Sequence, residues 1–276
     1  MLNDLLVSLS VGTERDPASH FALSIAESFA AHVKAVAYVF KPVVGGNGVS
    51  GIDTAILSAN MKEEQTAAQE ALHRFQENAW KYGVGFDTEI ISDMLTDAAD
   101  RFGRMARSYD LSVVSQRRPD QLNYDDLFIE SALLHSGRPV IVVPYIHKDP
   151  IKYDRMICCW DGSQHAARAI ADAMPFLERA GKVDLLTVKT GKNDKPGIPV
   201  TDIAQHLARK KLDVSIEQIV APEIDFADVV MNHAADHGAD LLVMGGYGHS
   251  RWREFVLGGA TRGVLSSMTV PTLMAH

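Results

Sequence analysis

The chain alternates short runs of apolar, β-forming residues with longer segments whose apolar residues recur at helical spacing. Apolar runs of about four to eight residues predict buried strands, and apolar residues three or four positions apart predict amphipathic helices. In the first half, strands are predicted at residues 4–10, 33–40, 86–91, 110–115 and 139–143. Helices are predicted there at residues 16–31, 53–82, 97–108 and 126–136.

The second half repeats this order of elements. Strands are predicted at residues 155–160, 183–188, 214–220, 240–244 and 270–273, and helices at 163–176, 200–211, 225–237 and 259–268. Residues 109–114 match 239–244, and residues 138–141 match 270–273. We therefore predict a duplication, with one domain at 1–146 and a second at 152–276.

Strictly alternating strands and helices are typical of a parallel sheet covered by helices on both faces. The fold class predicted is therefore α/β, with two tandem doubly wound domains of five parallel strands each. A short polar linker that contains Pro150 separates them.

Composition narrows the class of protein. The hydrophobic content of 46% and the charged content of 22% are typical of a soluble globular protein. The net charge of −8 argues against a nucleic-acid partner, and no apolar run approaches the roughly 18 residues that a membrane span needs. The N-terminal residues lack the basic segment of a secretory signal, so we expect a cytoplasmic protein without a membrane partner.

The two cysteines, Cys158 and Cys159, are adjacent on a predicted strand. Their side chains would point to opposite faces and could not bridge. We interpret them as small apolar residues of a protein in a reducing compartment, with a redox role as the weaker alternative.

One stretch, residues 241–271, carries most of the candidate chemistry. An apolar run ends in Gly245 and Gly246, Gly248 follows, and a second glycine pair at 258–259 opens a predicted helix. A strand, a glycine loop and a helix start together form an anion site, because unpaired N–H groups and the helix dipole point at the ligand. A tight strand-to-helix turn would explain the same glycines.

With both halves laid out, the chain resembles a tandem universal stress protein. Residues 161–163, Asp-Gly-Ser after a strand, are similar to the opening of that family's domain, and residues 185–188 resemble its second strand. The spacing Gly245-x2-Gly248-x9-Gly258 matches the family's nucleotide-binding members. The resemblance implies a Rossmann-like fold of the adenine nucleotide α-hydrolase-like type in each domain.

The resemblance also implies an adenine-nucleotide site in the second domain, with ATP as the expected ligand and Mg²⁺ as its possible companion. The implied nucleotide-binding residues are Asp161, Gly162, Ser163, Val188, Met244, Gly245, Gly246, Gly248, Gly258, Gly259, Ala260 and Thr261. Asp161 would accept hydrogen bonds from the nucleoside, or else cap the following helix, and the two roles can coexist. Val188 would supply a wall for adenine.

The chain departs from the family pattern at Gly259, where ATP-binding members carry Ser or Thr. The hydroxyl of Thr261 would approach from a different direction on the helix. Loss of one hydrogen bond to a charged phosphate costs about 1.5–3 kcal/mol, which weakens binding roughly tenfold or more.

The first half departs further. Ser10 stands where the second half has Asp161, and the loop at 115–119 contains no glycine. The helix that starts near Asp126 carries a carboxylate, which repels phosphate. We therefore predict that the first domain keeps the fold but has lost the nucleotide site. The basic pair at 117–118 either binds another anion or is a solvated loop.

The remaining residue patterns give weaker evidence for a functional site. His233 and His237 lie four apart on one predicted helix, which suits a shared metal or a favourable helix dipole, and no third ligand lies nearby in sequence. His249, Arg251 and Arg253 could neutralise phosphate, face water or meet a partner subunit. The nucleophile elbow and the P-loop sequence are absent, so we assign no catalytic residue and at most a weak ATPase activity.

The function implied is that of a nucleotide-binding protein of the stress response. The two domains would pair as an intramolecular pseudo-dimer with their last strands near the interface, and two chains would form a homodimer. One alternative is the same fold without nucleotide, acting through another small ligand or protein partners. Another is an adenylating enzyme of the α-hydrolase-like group, but residues 161–165 do not supply its phosphate-binding segment.

Overall fold

The computed structural model describes residues 2–41, 54–118, 124–190, 198–246 and 259–276. The strands are β1 (Asp4–Ser8), β2 (His32–Phe40), β3 (Phe86–Asp93), β4 (Leu111–Ser115), β5 (Val140–Val143), β6 (Arg155–Cys159), β7 (Lys182–Lys189), β8 (Val214–Val220), β9 (Leu241–Gly245) and β10 (Thr272–Ala275). The helices are α1 (Pro17–Phe29), α2 (Thr54–Tyr82), α3 (Leu95–Ala106), α4 (Asp125–His135), α5 (Gln164–Asp172), α6 (Met174–Leu177), α7 (Val200–Arg209), α8 (Phe226–His237) and α9 (Gly259–Ser267).

The ten strands form one sheet in the order β3-β2-β1-β4-β5-β10-β9-β6-β7-β8. Within each half all the pairings are parallel, so the predicted α/β class and the five parallel strands per half are confirmed. The halves meet where β5 pairs with β10, and that pairing is antiparallel. The carboxyl ends of the strands therefore lie at opposite edges of the sheet in the two halves.

Two apolar cores lie on the two faces of this sheet because successive strand residues point to opposite sides. On β1, Leu5 and Val7 belong to the core under α1 and α2, whereas Leu6 belongs to the core under α3 and α4. Each core includes buried residues from both halves of the chain. The halves therefore share their apolar interior as well as their sheet.

The same aspartate contact recurs in both halves. Asp110, just before β4, accepts hydrogen bonds from the backbone N–H groups of Asn3 and Asp4 at 2.7 and 3.2 Å. Asp240, just before β9, accepts them from Asp154 and Arg155 at 2.8 and 2.9 Å. In each half this carboxylate ties the start of the fourth strand to the start of the first.

Several side chains connect the halves in addition to the β5–β10 pair. The Gln116 side-chain amide donates to the Leu265 carbonyl at 2.8 Å, across 149 positions of sequence. The Arg179 guanidinium lies 3.8 Å from the ring centre of Phe29 and donates to the Ser28 carbonyl at 2.6 Å. These contacts add polar bonds between the halves to the apolar contacts of the shared cores.

The element predictions hold in type, and most boundaries differ by one to four residues. One predicted helix, 163–176, is wrong as a single element, because α5 ends at Asp172 and α6 starts at Met174. Pro175 causes the break, since it has no N–H to donate to the preceding turn. Phe176 is nevertheless buried, as its helical spacing predicts.

Within the described ranges, no helix has the length and apolarity that crossing a bilayer requires.

We expect Leu273→Ala to lower the free energy of unfolding by about 2–5 kcal/mol, because it removes a fully buried side chain at the seam. Ile216→Ala, on the edge strand β8 where the side chain is 43% exposed, is the matched control and should cost much less. Urea unfolding followed by circular dichroism measures both. Equal losses for the two variants would contradict a special role for the seam.

Candidate functional site

The predicted nucleotide-site residues of the second half lie at the carboxyl ends of three neighbouring strands. Strand β6 pairs with β7 on one side and with β9 on the other. Asp161 follows β6, Val188 lies near the end of β7, and Gly245 ends β9. Ligands of doubly wound folds bind at this edge of the sheet.

The turn after β6 is shaped by its own hydrogen bonds. The Asp161 carboxylate accepts from the Ser163 N–H at 2.9 Å, and the Ser163 hydroxyl accepts from the Ala166 N–H at 3.1 Å. Ser163 is therefore the N-cap of α5, and Asp161 is not. Gly162 has a φ of +77°, a conformation that favours glycine. The Asp161 side chain is exposed at this edge.

Gly245 and Gly246 have packing roles. A Cβ on Gly245 would lie 2.7 Å from the carbonyl carbon of His165, and one on Gly246 would lie 2.6 Å from Cδ2 of Leu133. Because Gly245 has no side chain, β9 packs closely against the start of α5. Because Gly246 has none, the chain at the end of β9 packs closely against α4 of the other half. Met244 is 4% exposed and its side chain packs in the core, so the backbone of Met244 is the part of this residue that lies near the carboxyl edge of the sheet.

The N-terminus of α9 begins with two exposed residues. Gly259 and Ala260 are exposed, and a Cβ on Gly259 would meet no atom within 4 Å. Thr261, in contrast, is only 3% exposed, so its hydroxyl does not replace the missing family hydroxyl at the helix surface. The first N–H groups of a helix have no partner within it and can bind an anion, and the residues that carry them here are exposed.

Five sequence candidates, Gly248, His249, Arg251, Arg253 and Gly258, lie outside the described residues. Their roles stay predictions.

A cavity of about 540 Å³ lies beside the start of α9. It is lined by Gly259 and Ala260 on one side and by the acidic residues Glu223, Asp225 and Asp228 on the other. Those carboxylates oppose the helix dipole, because they repel an anion that approaches the same N–H groups. The arrangement lowers the affinity that the helix start alone would have for phosphate.

The first half contains a second cavity, of about 440 Å³, that sequence reasoning missed. It lies at the carboxyl ends of β1, β2, β4 and β5, the equivalent position in that half. Its lining residues include Ser10, Tyr38, Phe40, Glu63, Glu64, Ser115, Gln116, Arg118, Tyr124, Asp125, Phe128 and Tyr145. The cavity therefore has aromatic walls and several carboxylates.

Ser10 stands at the position that Asp161 has in the second half. A carboxylate from further along the chain, that of Asp16, approaches Ser10. Asp16 caps α1, accepting from the Ser19 N–H at 3.1 Å, and also accepts from the Ser10 N–H at 2.9 Å. The hydroxyls of Ser10 and Ser115 lie 3.2 Å apart. The longer loop between β1 and α1 thus brings a carboxylate to this edge by a different route.

Burial raises the pKa of both aspartates near this cavity. The pKa of Asp16 rises to about 6, although its backbone and Arg74 contacts lower it in part. The pKa of Asp125 rises to about 7, through burial first and then through the charges of Asp16 and Asp126, while Arg118 lowers it. Both groups therefore titrate near neutral pH.

Two features of the sequence could have indicated this cavity. Tyr38 and Phe40 alternate at the end of a predicted strand, which places both rings on one face. The pair Asp125-Asp126 marks a helix start that excludes phosphate. What could not be predicted is that Phe128 of α4 and Tyr124, the residue just before α4, come against those rings, at 4.5 Å from Tyr38 and 5.4 Å from Phe40 between ring centres.

The remaining candidate residues have structural surroundings. Cys158 and Cys159 are both free and buried, and burial raises the pKa of each thiol, to about 12 for Cys159. His237 contacts the backbone carbonyl of His233 at 2.9 Å, and burial lowers the pKa of His233. No cluster of three metal-ligating side chains occurs in the described part of the chain.

Comparison with solved structures defines the class of fold. A universal stress protein from Archaeoglobus fulgidus DSM 4304 superposes with a TM-score of 0.71 at 16% identity, covering 99% of this chain and 96% of that one. A putative universal stress protein from Pseudomonas aeruginosa UCBPP-PA14 gives 0.61 at 12% identity, covering 99% and 93%. The whole chain therefore has the fold of these proteins.

A third structure, a universal stress protein in complex with cAMP, covers 45% of this chain and 97% of its own, at 24% identity and a TM-score of 0.35. No curated protein sequence matches the chain.

The family model of the universal stress protein family matches residues 152–276. The second half of the chain is thus a universal stress protein domain, and the predicted resemblance is confirmed there.

We expect Gly245→Ala to destabilise the protein by about 1–3 kcal/mol, because the added methyl group meets the backbone of α5. Gly259→Ala is the control, and with open space around its Cβ it should be neutral or stabilise α9 by up to about 1 kcal/mol. Thermal unfolding without nucleotide measures both changes. An unchanged melting temperature for Gly245→Ala would contradict the packing role.

Proposed function

We propose that this protein is a stress-response protein that binds an adenine nucleotide, foremost ATP, in its second half, without catalysis or with slow hydrolysis. The observation that carries the proposal is the exposed N-terminus of α9 at Gly259 and Ala260. It belongs to a universal stress protein domain in which Asp161 and Val188 lie at the same sheet edge.

The residues fit a nucleotide in part. In this proposal the N–H groups at the start of α9 bind the phosphates, and the exposed Asp161 accepts hydrogen bonds from the ribose. Val188 is partly buried and packs against the core, so it presents apolar surface and backbone to adenine. Gly248 and Gly258 complete the loop, as the family spacing implies.

The charges near α9 make weak binding the expected outcome. Glu223, Asp225 and Asp228 line the cavity at the helix start, and Gly259 supplies no hydroxyl. Both features act against a triphosphate more than against the nucleoside part of the ligand. We therefore propose a nucleotide-responsive binder of modest affinity, with Mg²⁺ as a charge-neutralising companion of ATP.

The domain division at 1–146 and 152–276 stays part of the proposal, as does cytoplasmic localisation, which the two free, buried cysteines support. The pairing of β5 with β10 supports the intramolecular pseudo-dimer. Strands β3 and β8 are the two outer strands of the sheet. An outer strand can pair with a strand of another chain, which supports the further pairing of two chains into a homodimer.

The second candidate is a protein of the same fold that acts through a ligand other than a nucleotide. The aromatic, carboxylate-lined cavity of the first half favours it. Isothermal titration of the folded protein with ATP, ADP and AMP separates the candidates. Absence of heat at millimolar nucleotide favours the second, and release of pyrophosphate during turnover would instead revive an adenylating enzyme.

We expect Gly259→Ser to strengthen ATP binding about tenfold, because it supplies the hydrogen bond to phosphate that glycine lacks. Gly259→Ala is the matched control, since it adds the same Cβ without the hydroxyl and should leave the affinity nearly unchanged. Calorimetric titration measures both dissociation constants. Equal affinities for the two variants would contradict phosphate binding at this helix start.

We expect Asp161→Asn to weaken ATP binding roughly tenfold, because the neutral amide accepts hydrogen bonds from the ribose less strongly than a carboxylate. Asp202→Asn, in the first turn of α7, removes the same charge away from the site and is the control. An Asp161→Ala variant that binds ATP as well as the wild-type protein would remove Asp161 from the site.

A further inference from the structure

The cavity of the first half differs in chemistry from a phosphate site. Three carboxylate side chains, Glu63, Glu64 and Asp125, line it, and Arg118 is the one cationic side chain among its described lining residues. The Arg118 guanidinium already donates to the Arg15 carbonyl at 3.2 Å. The lining therefore has an excess of negative charge.

The start of α4 favours the same conclusion. Asp125 and Asp126 both lie in the first turn of this helix, where a bound anion would have to approach the N–H groups. Their carboxylates interact favourably with the helix dipole and repel a phosphate. Asp16, which caps α1, adds a further carboxyl group close enough to raise the pKa of Asp125.

The walls between these charges are aromatic. The ring of Phe40 stacks on that of Tyr38 at 6.2 Å, and Tyr124 meets the ring of Phe40 edge-on. Tyr124 and Tyr145 are 42% and 37% exposed, so ligands can reach their rings. Aromatic faces attract cations, and they attract them more strongly where water is partly excluded.

One polar group in the lining lacks a partner. Tyr38 is 4% exposed, and among the described residues its hydroxyl has no hydrogen-bond partner. Buried polar atoms in proteins are nearly always paired, so an unpaired one beside a cavity indicates that a ligand binds in the cavity.

We propose that the first-half cavity binds an organic monocation with a flat apolar body, such as an aryl amidinium or aryl ammonium ion. The carboxylate of Asp125 contacts the cationic group, Glu63 and Glu64 add negative charge to the lining, and the rings of Phe40 and Tyr124 hold the apolar body. The cavity therefore selects against the nucleotides that we assign to the other half, at the opposite edge of the sheet.

The titration of Asp125 adds a pH dependence. Its pKa of about 7 means that it is largely ionised at pH 8 and largely protonated at pH 6. Among the described residues, the charged groups that act on its pKa are Asp16 just before α1, Arg118 after β4, and Asp126 on its own helix, while Glu63 and Glu64 of α2 line the same cavity. Since a cation binds the ionised carboxylate, its affinity should fall as the pH falls from 8 to 6.

Isothermal titration of the full chain with benzamidine, benzamide, benzoate and AMP tests the proposal. Benzamidine, benzamide and benzoate have the same ring and carry a cationic, a neutral and an anionic head group, respectively. At pH 8 we expect benzamidine to bind at least tenfold more tightly than benzamide, and we expect neither benzoate nor AMP to compete with it. Equal binding of benzamidine and benzamide, or displacement of benzamidine by AMP, would overturn the proposal, as would no binding at millimolar benzamidine.

Two variants locate the site. Asp125→Asn should reduce both the preference for benzamidine over benzamide and the pH dependence, whereas Glu130→Gln on the same helix should change neither. Tyr124→Ala should weaken benzamidine and benzamide alike, and it keeps the test decisive if Asp125→Asn does not fold. Wild-type preference and affinity in both Asp125→Asn and Tyr124→Ala would exclude this cavity as the site.

Discussion

The antiparallel pairing of β5 with β10 is the interaction on which the rest of the structure depends. Each strand has four residues, and all of them are buried. The pair converts two parallel half-sheets into one sheet of ten strands and makes both apolar cores continuous. Because it is antiparallel, it also points the carboxyl ends of the two half-sheets in opposite directions, so the two candidate sites cannot merge into one.

The two halves show how one fold carries two different electrostatic environments. In the second half the last helix starts with Gly259 and Ala260, which are exposed and carry no charge. In the first half the equivalent helix starts with Asp125 and Asp126, and carboxylates occupy that position. The fold supplies a helix start at the edge of the sheet in both cases. The residues of its first turn decide the sign of the charge that can bind there.

The glycine-rich stretch shows why a motif has more than one physical cause. Gly245 and Gly246 lie where a Cβ would collide with α5 and with Leu133 of the other half, so their small size serves packing. Gly259 has open space around it and no such constraint. The same residue type therefore carries a packing role at one end of the stretch and leaves a helix start accessible at the other. The spacing along the chain does not distinguish these roles.

The sequence by itself determined the α/β class, the order of the elements and the five parallel strands of each half, because strand and helix periodicities are local properties. It also placed Asp161, Val188 and Gly245 at or near the ends of predicted strands, and the family resemblance made those strands neighbours. Only the tertiary structure decided that Ser163 rather than Asp161 caps α5, that Thr261 is buried, and that Asp16 approaches Ser10. Those outcomes depend on which side chains meet across elements distant in sequence, and packing sets them rather than periodicity.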